Sequence, residues 1–211
     1  MLFWVRSPQA MSFRPAAIVL AVAATAGLSA AQAAPLVVQL LGTDGRPVPD
    51  AAVGALVRGA RSATSTASAQ IVQKQRQFQP TVTLIQTGTA VHFPNLDTVR
   101  HHVYSFSPIK RFELALYAGT PAAPVSFDKP GVAVLGCNIH DRMAAWVVVM
   151  DTPLLARSDA AGLVSFDLPV GEHRLQAWRP DWPENEPFAE LVVVQTAGGQ
   201  RLSWTLAPRA R

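Results

Sequence analysis

Four side chains in this sequence are of kinds that bind soft metal ions, and three of them lie close together. Cys137, His140 and Met143 follow at intervals of three residues, so one short segment offers a thiolate, an imidazole and a thioether. His101, further upstream, offers a second imidazole. Two histidines and a cysteine in a trigonal plane, with a weak axial methionine, form the donor set of blue-copper electron-transfer sites. The spacing therefore predicts a mononuclear copper site.

This donor set suits an ion that alternates between two charge states. Cu(I) prefers soft thiolate and thioether ligands, whereas imidazole binds both oxidation states. Cys137 must lose a proton to bind, and His101 and His140 must be neutral, so we expect metal affinity to fall in acid. A mononuclear site with all four positions filled leaves no open coordination position for a substrate. We therefore predict that the protein is not an enzyme.

Cys137 is the only cysteine of the chain, so no internal disulfide can form. A free thiol in an exported protein requires an explanation, because the compartment is oxidising. One explanation is a buried, inert cysteine that packs like a small apolar residue. The ligand spacing of His140 and Met143 favours the other explanation, a metal-bound thiolate.

The chain begins with a segment typical of an export signal. Arg14 precedes a short apolar run over residues 16–24, and small residues follow up to Ala33. A basic start, a short apolar stretch and an A-x-A end predict a cleaved secretory signal over residues 1–33. An uncleaved anchor is the alternative, but the run is short for crossing a bilayer. We predict cleavage between Ala33 and Ala34, a periplasmic location and no stable membrane insertion afterwards.

Charge and motifs disfavour several classes of function. Removing Arg6 and Arg14 with the signal lowers Lys+Arg from 18 to 16 against 14 acidic residues, a net charge near +2. The remaining basic residues are scattered, so we expect no nucleic-acid partner. The sequence has no nucleophile elbow, no phosphate-binding glycine loop and no H-E-x-x-H motif, so hydrolytic chemistry has little support.

The remaining chain of about 178 residues predicts an all-β fold in one large or two small domains. Helical periodicity is almost absent, and short apolar or alternating runs end at Gly, Pro and Asp. Residues 61–69 are rich in Ser, Thr and Ala, which indicates a linker or exposed loop. The predicted strands cover residues 36–41, 51–57, 81–86, 90–93, 102–106, 112–117, 132–135, 146–150, 163–168, 174–178, 190–195 and 202–206.

Residues 71–151 resemble the cupredoxins. The segment 91–97, followed by His101, is similar to the plastocyanin and amicyanin strand that ends in the first ligand histidine. Residues 127–131, followed by the Cys-x2-His-x2-Met loop, resemble the last hairpin of those proteins. The array as a whole is similar to exported plastocyanin-like proteins often labelled methylamine-utilisation proteins. The resemblance implies a Greek-key β-sandwich that binds one copper ion.

The resemblance also implies a role for each ligand candidate. His101 matches the upstream ligand, and Cys137, His140 and Met143 match the three ligands of the loop. It further implies an electron carrier whose redox partner proteins dock near His140. The chain departs from the family at His102, where asparagine is common. Alternatives to the electron carrier are a carrier that hands on Cu(I) and a non-redox β-sandwich binding module.

The flanking sequences resemble a second family, the carboxypeptidase-regulatory or transthyretin-like β-sandwich. Its usual turns are similar to residues 44–51, 158–162 and 168–171. We expect residues 35–57 to supply the first strands of this sandwich, and residues 152–207 to complete it after the cupredoxin unit. The predicted segments are therefore 34–66, an N-terminal β segment, 71–151, the cupredoxin domain, and 152–211, the second sandwich.

The other histidines are interpreted more simply. His101 and His102 are adjacent, so in a strand they face opposite sides, and only one can point at a given metal. Similarity to the family favours His101, which makes His102 a brace or a surface imidazole. His92 is expected to face outward, and His173 to be solvated. Glu113 lies in an alternating strand, where an exposed face explains a carboxylate.

Overall fold

A computed structural model of the protein describes residues 33–60, 65–121, 123–140 and 142–208. These residues form 17 β-strands and no helix, which confirms the predicted all-β fold class. Within the same ranges, no helix is present that has the length and apolarity needed to cross a bilayer. The predicted signal, apart from Ala33, lies outside the described residues, so its cleavage stays a prediction.

The strands are short, and most have bounds within two residues of those expected from the sequence. They are β1 Ala33–Leu41, β2 Ala52–Val57, β3 Ser68–Gln70, β4 Val72–Lys74, β5 Gln77–Gln79, β6 Val82–Gln86, β7 Ala90–His92, β8 His101–Ser105, β9 Phe112–Tyr117, β10 Val125–Ser126, β11 Gly131–Gly136, β12 Ala144–Met150, β13 Leu154–Arg157, β14 Leu163–Pro169, β15 Gly171–Trp178, β16 Ala189–Gln195 and β17 Gln200–Thr205.

The two ends of the described chain build one β-sandwich together. Strand β1 lies between β14, to which it is antiparallel, and β17, to which it is parallel. Strand β2 lies between β13 and β15 in a second sheet that ends with β16. Leu36, Val38 and Leu40 alternate with more exposed residues along β1, and their side chains share one hydrophobic cluster with Leu175 of the facing sheet. Within the described residues, β1 shares its sheet with β14 and β17 alone, and a separate sandwich begun by residues 35–57 stays a prediction.

The middle of the chain forms a second pair of sheets with its own core. The larger sheet has the order β6-β12-β11-β8-β9, and the smaller one the order β10-β7-β3. Phe93, Phe127 and Val147 are buried in a cluster that lies within this part of the chain. Strand β8 lies between β11 and β9, so it is an inner strand of the larger sheet. This position brings His101 close to the β11–β12 hairpin.

The two β units share part of their cores. Val132 and Met150 of the middle unit belong to the hydrophobic cluster of the flanking sandwich, and the rings of Trp146 and Trp178 lie 6.3 Å apart. These tryptophans therefore pack where the two units meet. All described residues belong to one compact unit. The domain boundaries at residues 66, 71 and 151 remain our proposal.

Sequence reasoning missed the shortest strands. Six strands have four residues or fewer, too few for a clear alternating pattern, and five of them were missed; of these six, only β7 was predicted: β3, β4, β5, β10 and β13 were not. The predicted linker over residues 61–69 is also too long, because β3 begins at Ser68. Residues 61–64 of that linker lie outside the described residues.

Candidate metal centre

The loop that carries three of the predicted ligands connects two paired strands. Gly136 is the last residue of β11, and it pairs with Ala144, the first residue of β12. Residues 137–143 therefore have to reverse the chain between fixed ends. The backbone N–H of Met143 donates a hydrogen bond of 2.9 Å to the carbonyl of His140, which tightens the second half of the loop.

Three of the four predicted ligands converge in space. The ligand atoms of His101, Cys137 and His140 all lie within 4.8 Å of one another. The Sγ atom of Cys137 is 4.0 Å from Nδ1 of His140, and the imidazole rings of His101 and His140 have centroids 5.0 Å apart. His101 and Cys137 are buried, and His140 is half-buried. Within the described residues, this is the one group of three or more His, Cys, Asp or Glu side chains close enough to share an ion.

Met143 lies beside this cluster and is 2 % exposed. Its side chain belongs to the same hydrophobic cluster as Cys137, and both residues line the same surface cleft. A buried thioether next to the thiol is the arrangement that an axial ligand requires. The role of Met143 as a ligand stays a prediction.

His101 is held by an acidic side chain that sequence reasoning did not assign. Its Nε2 atom lies 2.8 Å from Oδ2 of Asp97, four residues earlier in the chain. Its Nδ1 atom is buried and has no hydrogen-bond partner. Buried polar atoms without partners are rare in proteins and require an explanation such as an ion. A metal ion at Nδ1 of His101 supplies that explanation, so the residues present fit a soft metal ion.

The carboxylate of Asp97 is suited to accept a hydrogen bond from a protonated ring nitrogen of His101. Burial by itself raises the pKa of the Asp97 carboxyl, but hydrogen bonds from the backbone of Arg76, from His101 and from the backbone of Gln75 lower it, and the lowering prevails. The carboxylate is therefore charged at neutral pH and favours the imidazole tautomer with its proton on Nε2. That tautomer leaves the lone pair of Nδ1 available for a metal. The sequence contains one indication of this contact, an acidic residue four positions before a candidate ligand histidine.

His102 is buried, so the surface interpretation of this residue is wrong. Its Nε2 atom lies 2.8 Å from Oε1 of Glu113, and its ring contacts that of Tyr104 with centroids 5.4 Å apart. The imidazole is covered by Glu113, on the neighbouring strand β9, and by Tyr104. The register shift between His101 and Val103 does not bring both imidazoles to the metal cluster. The selection of His101 over His102 agrees with this geometry.

The remaining histidines lie apart from the cluster. His92 is half-buried at the end of β7. His173 is 3 % exposed, so the prediction that it is solvated is wrong. Its Nε2 atom donates to the carbonyl of Pro169 at 2.7 Å, and its Nδ1 atom accepts from the backbone N–H of Arg58 at 3.4 Å. The ring is therefore covered by Pro169 and by Arg58, the residue that follows β2.

A cleft of about 630 Å³ opens on the sulfur side of the cluster. Its lining includes Cys137, Met143, Tyr104 and Phe106. Phe106 is 68 % exposed, and its ring centroid lies 5.0 Å from that of Tyr104. Cys137 and Met143 line the cleft, whereas His101 and His140 do not.

Comparisons with known proteins give partial similarities. No protein-family model and no curated protein matches the chain. Among solved structures, it is similar to a copper-containing nitrite reductase from Thermus scotoductus, with 25% identity over 47% of this chain and a TM-score of 0.38. The chain spans only 25% of the length of that reductase.

Two further proteins have similar TM-scores and are covered over almost their whole length. A purple cupredoxin from Nitrosopumilus maritimus is 23% identical over 39% of this chain and 99% of its own, with a TM-score of 0.35. A reduced variant of amicyanin is 16% identical over 46% of this chain and 99% of its own, with a TM-score of 0.36. TM-scores this low do not assign a function to the chain, so the geometry of its own residues has to do so.

Proposed function

We propose that the protein binds one copper ion through His101, Cys137, His140 and Met143 and acts as an electron carrier. The observation that supports this proposal most directly is the convergence of two imidazoles and one thiol within 4.8 Å. Zinc also binds cysteine and histidine, usually in tetrahedral sites. A trigonal two-histidine, one-cysteine set with a thioether nearby favours copper instead.

The polypeptide contributes a rigid frame to this function. Copper, when bound, supplies the exchange of a single electron between Cu(II) and Cu(I). The paired ends of β11 and β12 fix Cys137 and Met143, and β8 fixes His101. Because these strands are hydrogen-bonded to their neighbours, the donor atoms keep their separations when the charge of the site changes. Fast electron exchange requires that the ligand geometry change little between the two oxidation states.

The partner surface that we propose lies at the ligand loop. Ile139, the residue before His140, is 45 % exposed although it is apolar, and His140 itself is half-buried. An exposed apolar side chain beside a ligand that reaches the surface suits a transient contact with a redox protein. With the predicted export signal, we propose that these partners are periplasmic.

The test of the proposal is reversible electron exchange by the copper-loaded protein. Voltammetry should show one reversible couple, and the oxidised protein should be intensely coloured by charge transfer from thiolate to copper. Cys137→Ser should remove the colour, whereas His92→Gln, at a half-buried histidine away from the cluster, should keep both signals.

Two results would count against an electron carrier. Tight Cu(I) binding without a reversible couple would indicate the carrier that hands on Cu(I). Colour that persists in Cys137→Ser would remove the thiolate from the site altogether.

A further inference from the structure

We propose that the turn between β4 and β5 positions the metal ligand His101, and that it acts through the carboxylate of Asp97. This inference deepens the proposed function, on which it rests for the identity of the metal. The turn consists of Gln75 and Arg76, which lie more than twenty residues before His101 in the chain. Neither residue is part of the metal cluster.

The backbone of the turn binds both oxygens of Asp97. The N–H of Gln75 donates to Oδ1 at 2.7 Å, and the N–H of Arg76 donates to Oδ2 at 2.9 Å. The same Oδ2 atom lies 2.8 Å from Nε2 of His101. Successive backbone N–H groups in a turn form a concave site for an anion. The carboxylate is therefore held by two donors while it receives a third from the imidazole.

The conformation of the turn is an uncommon one. Gln75 and Arg76 have φ angles of 56° and 58°, in the left-handed region that residues other than glycine rarely adopt. Two consecutive positive φ angles are those of the tight hairpin turn in which asparagine and glycine prevail. Such a conformation persists only where the surroundings determine it. The two hydrogen bonds to Asp97 are surroundings of that kind.

The hairpin is also fastened to the segment that leads to His101. The backbone N–H of Gln73 donates to the carbonyl of Pro94 at 2.8 Å, and the N–H of Leu96 donates to the carbonyl of Gln73 at 2.9 Å. Within that segment, the side chain of Asn95 accepts from the N–H of Asp97 at 3.0 Å and donates to the carbonyl of Val99 at 2.9 Å. The carboxylate thus has little freedom to rotate away from the imidazole.

The consequence concerns one proton of His101. A fixed carboxylate keeps that proton on Nε2 and keeps the ring in one orientation, so that Nδ1 is unprotonated and faces the cluster. Partners that orient a ligand histidine in this way typically change metal affinity by about 10- to 100-fold when they are mutated. A turn that only closes the hairpin would have no such effect.

The experiment compares two variants of the turn with one of the carboxylate. Arg76→Pro removes the N–H and cannot adopt the positive φ angle, whereas Arg76→Gly keeps the N–H and favours that angle. Asp97→Asn keeps the size of the side chain and removes its charge. Nitrogen-15 NMR of the metal-free protein reports the tautomer of His101, and competition with a chelator reports affinity for Cu(I).

We expect wild-type protein and Arg76→Gly to hold the His101 proton on Nε2 and to bind Cu(I) equally well. We expect Arg76→Pro and Asp97→Asn to show a mixture of tautomers and to bind Cu(I) about 10- to 100-fold more weakly. If Arg76→Pro fails to fold, Asp97→Asn still tests the role of the carboxylate. A Gln75→Pro variant, which also removes an N–H donor, then tests the role of the turn.

The inference is overturned if the His101 tautomer is the same in the folded variants as in the wild-type protein. Because the tautomer is measured without metal, this outcome is separate from a failure of the proposed function. A protein that holds the proton on Nε2 and yet binds no copper would contradict the proposed function and leave the positioning role in place.

Discussion

The Sγ atom of Cys137 lies 4.0 Å from Nδ1 of His140, and both atoms are supplied by the turn of one hairpin. The third member of the cluster, His101, comes from a strand more than thirty residues earlier. The complete site therefore exists only when β8 and the β11–β12 hairpin are assembled. Copper binding at the proposed site would therefore be coupled to folding of this unit.

The first prediction follows from that coupling. Copper should raise the unfolding temperature of the protein, because the ion binds the folded state more tightly than the unfolded chain. At a free copper concentration 100 times the dissociation constant, the gain in unfolding free energy is about 2.7 kcal/mol. Calorimetry with and without metal measures it. Removal of copper by a chelator should restore the lower unfolding temperature. Copper should raise the unfolding temperature of Cys137→Ser far less, and an equal rise in that variant would contradict the proposed site.

Met143→Leu should change the reduction potential and barely change stability. A similarly sized apolar side chain fills the same space at a cost usually below about 1.5 kcal/mol. The leucine side chain makes the surroundings of the site more apolar, which disfavours the more highly charged Cu(II), so the potential should rise. Met150→Leu is the matched control, because Met150 is fully buried in the other hydrophobic cluster. Equal potentials in the two variants would show that the thioether of Met143 is not a ligand.

Gly136→Ala should destabilise the hairpin next to Cys137. A Cβ atom at Gly136 would lie 2.5 Å from Cζ of Tyr104, because that ring covers the opposite backbone position. We expect a loss of about 1–3 kcal/mol, typical of overpacking. Denaturant unfolding measures it, with Gly198→Ala as the control, since a Cβ there meets no atom within 4 Å. In a Tyr104→Ala background, Gly136→Ala should cause little loss of unfolding free energy. An undiminished loss would contradict the contact between Gly136 and the ring.

The hydroxyl of Tyr117 should resist ionisation in the folded, metal-free protein. Burial raises the pKa of Tyr117 to about 12 from an ordinary 10.0, the hydrogen bond with Gln73 lowers it in part, and the charge of Cys137 raises it. Because the folded pKa is the higher one, Tyr117 stabilises the fold fully below pH 10, and this contribution is lost as the pH rises towards about 12.

Absorbance of the phenolate measures the titration of Tyr117 directly. The chain has two tyrosines, so Tyr104→Phe leaves Tyr117 as the one that titrates. We expect a midpoint near 12 in that variant while the protein stays folded, and a midpoint near 10.0 after it is unfolded in denaturant. A midpoint near 10.0 in the folded protein would contradict the burial of the hydroxyl.

Features that depend on nearby residues could be predicted from the sequence. The strand over residues 112–117 has the bounds that its alternating pattern indicates. The loop ligands were recognisable because Cys137, His140 and Met143 lie at fixed short intervals, and a hairpin joins their two ends. The all-β class followed in the same way, from short runs punctuated by turn residues.

Features that depend on long-range pairing could not be predicted. His173 is contacted by Arg58, which is 115 residues away in the sequence and follows β2, the strand that pairs with β15. His102 is covered in part by Glu113 of the neighbouring strand β9, a contact between strands that no local pattern reveals. The contact between the Gln75–Arg76 turn and Asp97 joins two loops that are more than twenty residues apart in the sequence, so no local pattern reveals it.

X-ray absorption by the copper-loaded protein tests the central claim most directly, because it identifies the atoms bound to the metal. We predict two nitrogen donors of imidazole type and one short bond to sulfur, with the sulfur signal lost in Cys137→Ser and one nitrogen lost in His101→Ala. A spectrum with nitrogen and oxygen donors only, unchanged in both variants, would show that copper binds elsewhere and would contradict the proposed site.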